Sequence, residues 1–151
     1  MLSSRNLQFG FKAKYSTTHC TFALNEVVDY YSRQGSSVFV ALLDASRAFD
    51  QVHYIRLFRL LSGRGLCPLL IKLLLFMYTH QTLCVKWDSV TSAPFACRNG
   101  IKQGGVLSPI LFCIYMDCLL DRLSQSGIGC YVGHVFTGAL SYADDLSILR
   151  R

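Results

Sequence analysis

The sequence predicts an α+β fold, because helices and strands are mixed along it without a regular strand–helix–strand alternation. Apolar residues recur at helical spacing from residue 20 to residue 31, and this periodicity is typical of one buried helix face. Residues 37–43 are almost continuously apolar, with β-branched and aromatic members, which predicts a fully buried strand. Apolar residues alternate between 83 and 97, which predicts a hairpin.

Several residues are suited to the starts and ends of the predicted helices. Ser16 offers an N-cap for the first helix, and Gly35 is suited to end it. Asp50 can cap the second helix, and Pro68 is suited to the first turn of the third. Because the third helix is apolar nearly all round, it is predicted to lie in the core. Ser108 is the predicted cap of the last helix.

The composition is that of a folded domain with a basic surface. The chain has 151 residues, of which 52% are hydrophobic and 16% charged, so it forms one domain or part of one and is not disordered. Its net charge of +6 favours a polyanionic partner. An excess of surface lysines and arginines that only improves solubility would give the same net charge, so charge alone leaves both interpretations open.

The cysteines and the chain ends give expectations about the compartment and about completeness. Seven cysteines with no CxxC pair favour buried free thiols in a reducing compartment over disulfides or zinc. The apolar stretch 69–78 is short and contains Lys72, so no membrane span is expected. No leader precedes the first motif, and Arg151 follows soon after the last one. We therefore expect a fragment of a longer polypeptide, in which the last strand lacks a neighbour and leaves an apolar sheet edge exposed around Leu146 and Ile148.

An acidic pair near the end of the chain is the strongest chemical signal. Apolar runs at 135–140 and 146–149 flank Asp144 and Asp145, which predicts a β-hairpin with both acids at its tip. Adjacent carboxylates repel each other, and a divalent cation removes that cost. Asp44 ends the apolar run at 37–43. If the two strands are neighbours, three carboxylates meet at one sheet edge, as a two-metal phosphoryl-transfer site requires. An ordinary strand-end charge or helix N-cap is the alternative for Asp44.

Four motifs occur in one order across nearly the whole chain, and together they resemble the reverse transcriptase domain of non-LTR (LINE-type) retrotransposons. Each of these motifs alone is weak, but their combination is specific. The motifs are Gln8-Phe9-Gly10-Phe11, Leu42-Leu43-Asp44-Ala45-Ser46-Arg47-Ala48-Phe49-Asp50, Asn99-Gly100-Ile101-Lys102-Gln103-Gly104-Gly105-Val106-Leu107-Ser108-Pro109 and Tyr142-Ala143-Asp144-Asp145.

The resemblance implies an RNA-directed DNA polymerase with the palm, an antiparallel sheet with packed helices, and part of the fingers of a right-hand polymerase. Residues 1–36 would belong to the fingers, and residues 37–151 to the palm with some fingers elements, ending before the thumb. The implied partners are an RNA template, a DNA primer, deoxynucleoside triphosphates and the rest of a retrotransposon polyprotein, with its endonuclease and thumb. The implied location is intracellular, in the nucleus or cytoplasm.

The resemblance also assigns roles to the acids. Asp44 and Asp144 would hold two Mg²⁺ or Mn²⁺ ions, with Asp145 assisting. These ions would activate the primer hydroxyl and neutralise the leaving pyrophosphate.

The resemblance assigns nucleotide binding to five further residues. Phe49 would lie beneath the incoming sugar and exclude a 2′-hydroxyl, although a core aromatic is the commoner fate of a phenylalanine. Gln103 would contact the nucleotide, and Gly104 would let the backbone approach it. Ala45 and Lys12 complete the implied set.

One position departs from the family pattern. Tyr15 stands where an arginine is usual, which weakens a bidentate phosphate clamp. Two rival enzymes, an RNA-directed RNA polymerase and a two-metal nuclease, could share the carboxylates. Phe49 argues against the first, and the Gln103 loop argues against the second. The alternative from another class is a decayed or domesticated remnant that only binds nucleic acid; Tyr15 favours it, and the three intact aspartates oppose it.

Overall fold

The computed structural model describes residues 6–151, and the mixture of helices and antiparallel strands in this range confirms the α+β prediction. The first five residues of the predicted segment 1–36 lie outside the described residues. The elements are α1 (Thr17–Ser32), β1 (Phe39–Asp44), α2 (Tyr54–Gly63), α3 (Pro68–Thr79), β2 (Thr82–Leu83), β3 (Lys86–Trp87), β4 (Val90–Thr91), β5 (Phe95–Ala96), α4 (Ser108–Gln125), β6 (Tyr131–Val132), β7 (Val135–Phe136), β8 (Ala139–Tyr142) and β9 (Asp145–Arg150).

The main sheet is antiparallel, with the strand order β1-β9-β8. Strand β9 therefore lies between β1 and its own hairpin partner β8. Phe39 lies opposite Arg150, and Asp44 lies opposite Asp145. The predicted hairpin between residues 83 and 97 is confirmed as two short ladders, β2–β5 and β3–β4. The sheet thus brings the two acid-bearing stretches of the chain to the same end.

Two hydrophobic clusters hold the helices in position. The larger joins α2 and α4 through Leu57, Leu61, Phe112 and Ile114, each at most 2% exposed. Burying a side chain of this size contributes about 1.5–3 kcal/mol, so this cluster is a principal source of stability. The second cluster packs α1 against the sheet, and its buried members are Val27, Tyr31, Cys130, Leu140 and Leu149.

The structure confirms one predicted helix cap and corrects two others. Ser16 caps α1 through its side chain, and the side chain of His19 completes a capping box. Asp50 does not cap α2, because His53 occupies the cap position without a side-chain hydrogen bond. Ser108 is the first residue of α4, and its hydroxyl donates to the Lys102 carbonyl. Both residues instead stabilise the loop that precedes α4.

Two predictions of burial were wrong. Strand β1 is exposed at all six positions, and Phe39 and Leu42 are 73% and 74% exposed. Helix α3 forms as predicted, but only Tyr78 is buried among its residues. Both elements are apolar in sequence, yet the described residues provide little to cover them. A local apolar pattern does not specify what lies above it.

The position of the unpaired sheet edge was also predicted wrongly. The last strand of the hairpin was expected to form that edge, with Leu146 and Ile148 exposed. Instead β9 has a neighbour on each side, and Leu146 is only 6% exposed. The apolar edge of the described sheet is β1, and such an edge is a template for self-association.

Substitution at this edge gives a first prediction. Leu42→Lys is expected to reduce aggregation of the 151-residue chain, since a charged side chain on an edge strand opposes strand addition. Light scattering at increasing protein concentration measures the effect. Leu146→Lys is the matched variant: it buries an ammonium group and should unfold the chain. Equal behaviour of the two variants would contradict the assignment of the edge.

The cysteines are free, as predicted, but their predicted burial holds for only some of them. Cys113 and Cys130 are buried, whereas Cys67 and Cys84 are exposed. Burial, followed by the nearby Asp117 carboxylate, raises the pKa of the Cys113 thiol to about 11. Among the described residues, no helix combines the length and the apolar character needed to cross a membrane.

Candidate active site

The acidic pair lies at a tight hairpin turn, as predicted. Tyr142 and Asp145 form the last residue pair of the β8–β9 ladder, so Ala143 and Asp144 form a two-residue turn. Ala143 has a φ of 57°, a left-handed conformation that two-residue hairpins use because its twist matches that of the strands. Asp144 therefore projects from the turn itself, and Asp145 begins the central strand.

The third acid completes the arrangement that the sequence predicted. Asp44 is the last residue of β1 and lies directly across from Asp145. Residues opposite each other on antiparallel strands project from the same face of the sheet. Asp44 and Asp145 are exposed, and Asp144 is half-buried. Two carboxylates on neighbouring strands and a third in the adjoining turn thus lie at one end of the sheet.

The chemistry of these side chains fits divalent metal ions. Carboxylate oxygens are the ligands that Mg²⁺ prefers, and like charges at neighbouring positions are stabilised by a cation. Among residues 6–151, no group of three His, Cys, Asp or Glu side chains is already gathered closely enough to hold a metal ion. The backbone thus brings the three acids to one edge, but their carboxylates do not form a preassembled cluster.

The Cys20 thiol is influenced by the charge of the acidic site. Burial raises the pKa of Cys20, and the charge of Asp145 raises it further. Cys20 lies on α1 and packs against the second hydrophobic cluster. The start of α1 therefore lies within electrostatic range of Asp145 in the hairpin.

Phe49 forms part of an aromatic stack. Its ring stacks on Phe112, with centroids 4.7 Å apart and an interplanar angle of 8°. The Phe11 ring meets it edge-on at 6.1 Å. Phe49 remains half-buried, so its position is rigid while part of its ring is accessible. This geometry is compatible with both the sugar-gate and the core-packing predictions.

Backbone hydrogen bonds join the loop after β1 to the loop before α4. The Ile101 amide donates to the Phe49 carbonyl at 2.9 Å, and the Gly100 amide donates to the Val52 carbonyl at 3.0 Å. A Cβ on Gly100 would lie 2.9 Å from the Asp50 Cα, so only glycine permits this approach. These bonds hold the loop that contains Phe49 against the loop that contains Gln103, so the two predicted nucleotide-binding residues lie on joined segments.

Asp50 orients the side chain of Gln103. The Gln103 amide donates from Nε2 to the Asp50 Oδ1 atom at 3.2 Å, and both residues are exposed. The neighbouring Gly104 has a φ of 75° and an open space where a Cβ would be. A left-handed, uncrowded glycine lets the backbone approach a ligand closely. In the sequence Asp50 has the features of a helix cap, and no local pattern predicts its contact with Gln103.

Removal of this contact gives a second prediction. If Gln103 contacts the nucleotide as the resemblance implies, Asp50→Ala should raise the KM for deoxynucleoside triphosphate by about 2- to 10-fold, since an exposed hydrogen bond contributes about 0.5–1.5 kcal/mol. The fall in kcat should be smaller, because Asp50 acts through Gln103. Steady-state primer extension separates the two constants. In the Gln103→Ala background the Asp50 substitution should have no further effect; additive losses would contradict the assignment.

Lys12 and Tyr15 pack together beside α4. Burial lowers the pKa of Lys12, while the Asp117 carboxylate and the Cys113 thiol act in the opposite direction. The Lys12 Nζ atom lies 5.5 Å from the centroid of the Tyr15 ring, which in turn contacts Phe9 edge-on at 5.6 Å. The tyrosine found in place of the usual arginine thus contributes packing and a cation–π contact.

The structure brings some predicted site residues together more clearly than others. Asp44, Ala45, Asp144 and Asp145 lie at one end of the sheet, and Ala45 is exposed directly after β1. Phe49 and Gln103 share the adjoining loops. Gln8 belongs to the first of the four motifs, and it is fully buried against the hairpin turn. The sequence does not predict this position, because a glutamine beside an aromatic residue has no periodic signature.

Comparison with known proteins identifies the family. The chain matches the family described as Reverse transcriptase (RNA-dependent DNA polymerase) over residues 3–151. The Retrovirus-related Pol polyprotein from a type-2 retrotransposable element of Drosophila melanogaster is 36% identical over 110 residues, which are 73% of this chain and 10% of that protein. The RNA-directed DNA polymerase from mobile element jockey of Drosophila funebris is 28% identical over 150 residues, 95% of this chain and 15% of that protein.

A solved structure agrees with this result at the level of the fold. Apo telomerase from Candida tropicalis matches with a TM-score of 0.66 over 95% of this chain and 29% of that chain, at 12% identity. This likeness confirms the predicted α+β polymerase fold. The chain spans 10% and 15% of the two polyproteins named above. It belongs to the reverse transcriptase (RNA-dependent DNA polymerase) family, in the branch of the non-LTR, LINE-type retrotransposons.

Proposed function

We propose that this chain carries the nucleotidyl-transfer site of an RNA-directed DNA polymerase, which extends a DNA primer along an RNA template of a retrotransposon. The observation that carries the proposal is the pairing of Asp44 with Asp145 at the sheet end, next to Asp144 in the turn. Membership of the reverse transcriptase family supports the reaction class. The comparisons do not favour a decayed remnant, and the three intact acids oppose it, although Tyr15 departs from the family pattern.

Asp44 and Asp144 would hold two Mg²⁺ or Mn²⁺ ions, with Asp145 assisting. When bound, the ions would supply Lewis-acid chemistry that favours a nucleophilic primer hydroxyl and compensates charge on the phosphates. The contribution of the protein is geometric. It brings three carboxylates to one end of the sheet, on two paired strands and one tight turn, from which the side chains would converge on the ions.

Five residues would bind the incoming nucleotide. Phe49, fixed by its stack on Phe112, would exclude a 2′-hydroxyl, and Gln103, oriented by Asp50, would contact the nucleotide. Gly104 and Ala45 would allow close approach of the backbone. Lys12, half-buried beside Tyr15, would add positive charge toward the phosphates.

The division of labour within the chain and outside it is also proposed. Residues 1–36 would form part of the fingers, and residues 37–151 the palm with some fingers elements. The chain would work within a longer polyprotein that supplies a thumb and an endonuclease, which the much greater length of the relatives supports. Its seven free cysteines favour a reducing compartment, either nucleus or cytoplasm.

The test is primer extension by the longest open reading frame that contains this chain. A DNA primer on an RNA template, with Mg²⁺, should be extended by deoxynucleotides far more efficiently than by ribonucleotides. Preference for ribonucleotides would favour an RNA-directed RNA polymerase, and strand cleavage without extension would favour a two-metal nuclease. Template binding without either reaction would support the remnant and overturn the proposal.

A further inference from the structure

The side chain of Gln8 makes a complete set of hydrogen bonds in the interior of the protein. Its Nε2 atom donates to the Ala143 carbonyl at 3.1 Å and to the Ser141 hydroxyl at 3.2 Å. Its Oε1 atom accepts from the Ala143 amide at 3.1 Å and from the Gly10 amide at 2.9 Å. A glutamine amide offers two donors and two acceptor lone pairs, so all four are used. Gln8 is 0% exposed.

These partners determine which way the amide points. Two backbone N–H groups are directed at Oε1, and a carbonyl and a hydroxyl accept from Nε2. Rotation of the amide by half a turn would bring its NH₂ group against two other donors. The orientation therefore follows from the network rather than from the similar shapes of the two atoms.

The main recipient of these bonds is the residue that shapes the catalytic turn. Ala143 has a φ of 57°, a left-handed conformation that is unfavourable for a residue with a Cβ. Such a conformation persists only when the surroundings impose it. Both the N–H and the C=O of Ala143 bind the same Gln8 amide. Asp144 follows directly, so the direction of its carboxylate depends on this backbone conformation.

The neighbouring backbone reinforces the contact. The Phe9 amide donates to the Ser141 carbonyl and the Ser141 amide donates to the Leu7 carbonyl, both at 2.8 Å. A Cβ on Gly10 would lie 2.2 Å from the Ala143 nitrogen, which no side chain tolerates. Residues 7–10 therefore run along β8 and close the hairpin turn from the side.

We propose that Gln8 is a positioning residue for nucleotide addition: its amide holds Ala143 in the left-handed turn and thereby fixes the Asp144 carboxylate for metal binding. This inference rests on the proposed function, in which Asp144 is a metal ligand. If Gln8 only filled the core, its substitution would lower the stability of the fold. Metal binding would then weaken no more than in any other variant of equal stability.

The experiment compares Gln8→Leu with wild type in the longest open reading frame that contains the chain. Gln8→Leu keeps a similar volume and removes all four hydrogen bonds. Amide hydrogen exchange at Ala143, without metal or nucleic acid, should accelerate by about tenfold, the equivalent of one lost hydrogen bond. The affinity for Mn²⁺, measured from the electron paramagnetic resonance signal of the free ion, should fall several-fold. The Mg²⁺ concentration for half-maximal extension should rise in parallel, with template–primer affinity unchanged.

Three control variants separate positioning from stability. Leu61→Ala removes a fully buried side chain of the other cluster and should lower the melting temperature without weakening Mn²⁺ binding. Gln125→Leu alters an exposed glutamine and should change nothing. Ser141→Ala removes one partner but leaves both Ala143 bonds, so Mn²⁺ binding should change little. If Gln8→Leu does not fold, Gln8→Glu replaces it, since a carboxylate keeps the two accepted bonds and loses the two donated ones.

The outcomes distinguish this inference from the proposed function. Unchanged exchange at Ala143 would overturn the proposal. So would a loss of Mn²⁺ affinity in Gln8→Leu that Leu61→Ala reproduces at the same melting temperature. Faster exchange together with selectively weaker Mn²⁺ binding would support it. If the wild-type protein extends no primer, the proposed polymerase activity fails. The exchange and Mn²⁺ measurements, which need no turnover, still decide the role of Gln8.

Discussion

Replacement of Asp144 by asparagine is expected to reduce nucleotide addition by about 10³-fold or more, while template binding stays nearly intact. Asparagine has almost the shape of aspartate but lacks its charge, so the turn should keep its conformation and lose a metal ligand. Metal ions contribute several kcal/mol to transition-state stabilisation, and each 1.36 kcal/mol corresponds to about tenfold in rate. Single-turnover primer extension and filter binding measure the two quantities separately.

The matched control for this substitution is Asp88→Asn. Asp88 lies in the turn between β3 and β4 and has a φ of 51°, a conformation that asparagine also tolerates. Both substitutions remove one negative charge from a tight turn, so they change the net charge of the protein alike. Only Asp144→Asn should abolish extension. Retained extension in Asp144→Asn would refute the assignment of Asp144 as a metal ligand.

Phe49→Val is expected to raise the relative efficiency of ribonucleotide incorporation by about 10- to 200-fold, the discrimination that a few carbon atoms in a pocket provide. The smaller side chain would open space where a 2′-hydroxyl lies, while deoxynucleotides lose little. Competition between the two nucleotide types at one template position gives the ratio directly. This ratio is independent of how much of the protein is folded.

The structure provides a specific control for the gate. Phe112 stacks on Phe49 at 4.7 Å and is 2% exposed. Phe112→Leu therefore removes the same stacking contact but leaves the Phe49 ring in place. It should lower the melting temperature, as Phe49→Val also should, but leave the sugar preference unchanged. If Phe49→Val lowers the melting temperature and leaves the ratio as in wild type, Phe49 is a core residue and not the gate.

The fold class and the location of the acids could be read from the sequence because their signals are local. The apolar runs on both sides of Asp144 and Asp145 specify a hairpin, and the run before Asp44 specifies a strand. The pairing of these strands was only a condition of the metal-site prediction, and the sequence did not establish it. The structure meets that condition, with Asp44 opposite Asp145. The roles of the acids as metal ligands stay predictions.

The sequence failed where a property depends on distant parts of the chain. The pattern of β1 is that of a buried strand, yet β1 is the exposed edge, because burial depends on what covers a strand and not on its own composition. The same reason explains why α3 has an apolar sequence and an exposed surface. Asp50 is a residue type that often caps helices, but in the folded chain its carboxylate accepts a hydrogen bond from Gln103 in the loop before α4.

Gln8 illustrates most clearly what only the tertiary structure decided. Periodicity and turn residues act over a few positions, so the sequence determined the α+β class, a hairpin with Asp144 and Asp145 at its tip and a strand that ends at Asp44. The reverse transcriptase fold was implied by the resemblance of its motifs. The sequence contained no sign that residue 8 would bind residue 143, because hydrogen bonds between segments so far apart form only after β8, β9 and the N-terminal segment are packed together. The left-handed turn before Asp144 is held by a side chain 135 residues away.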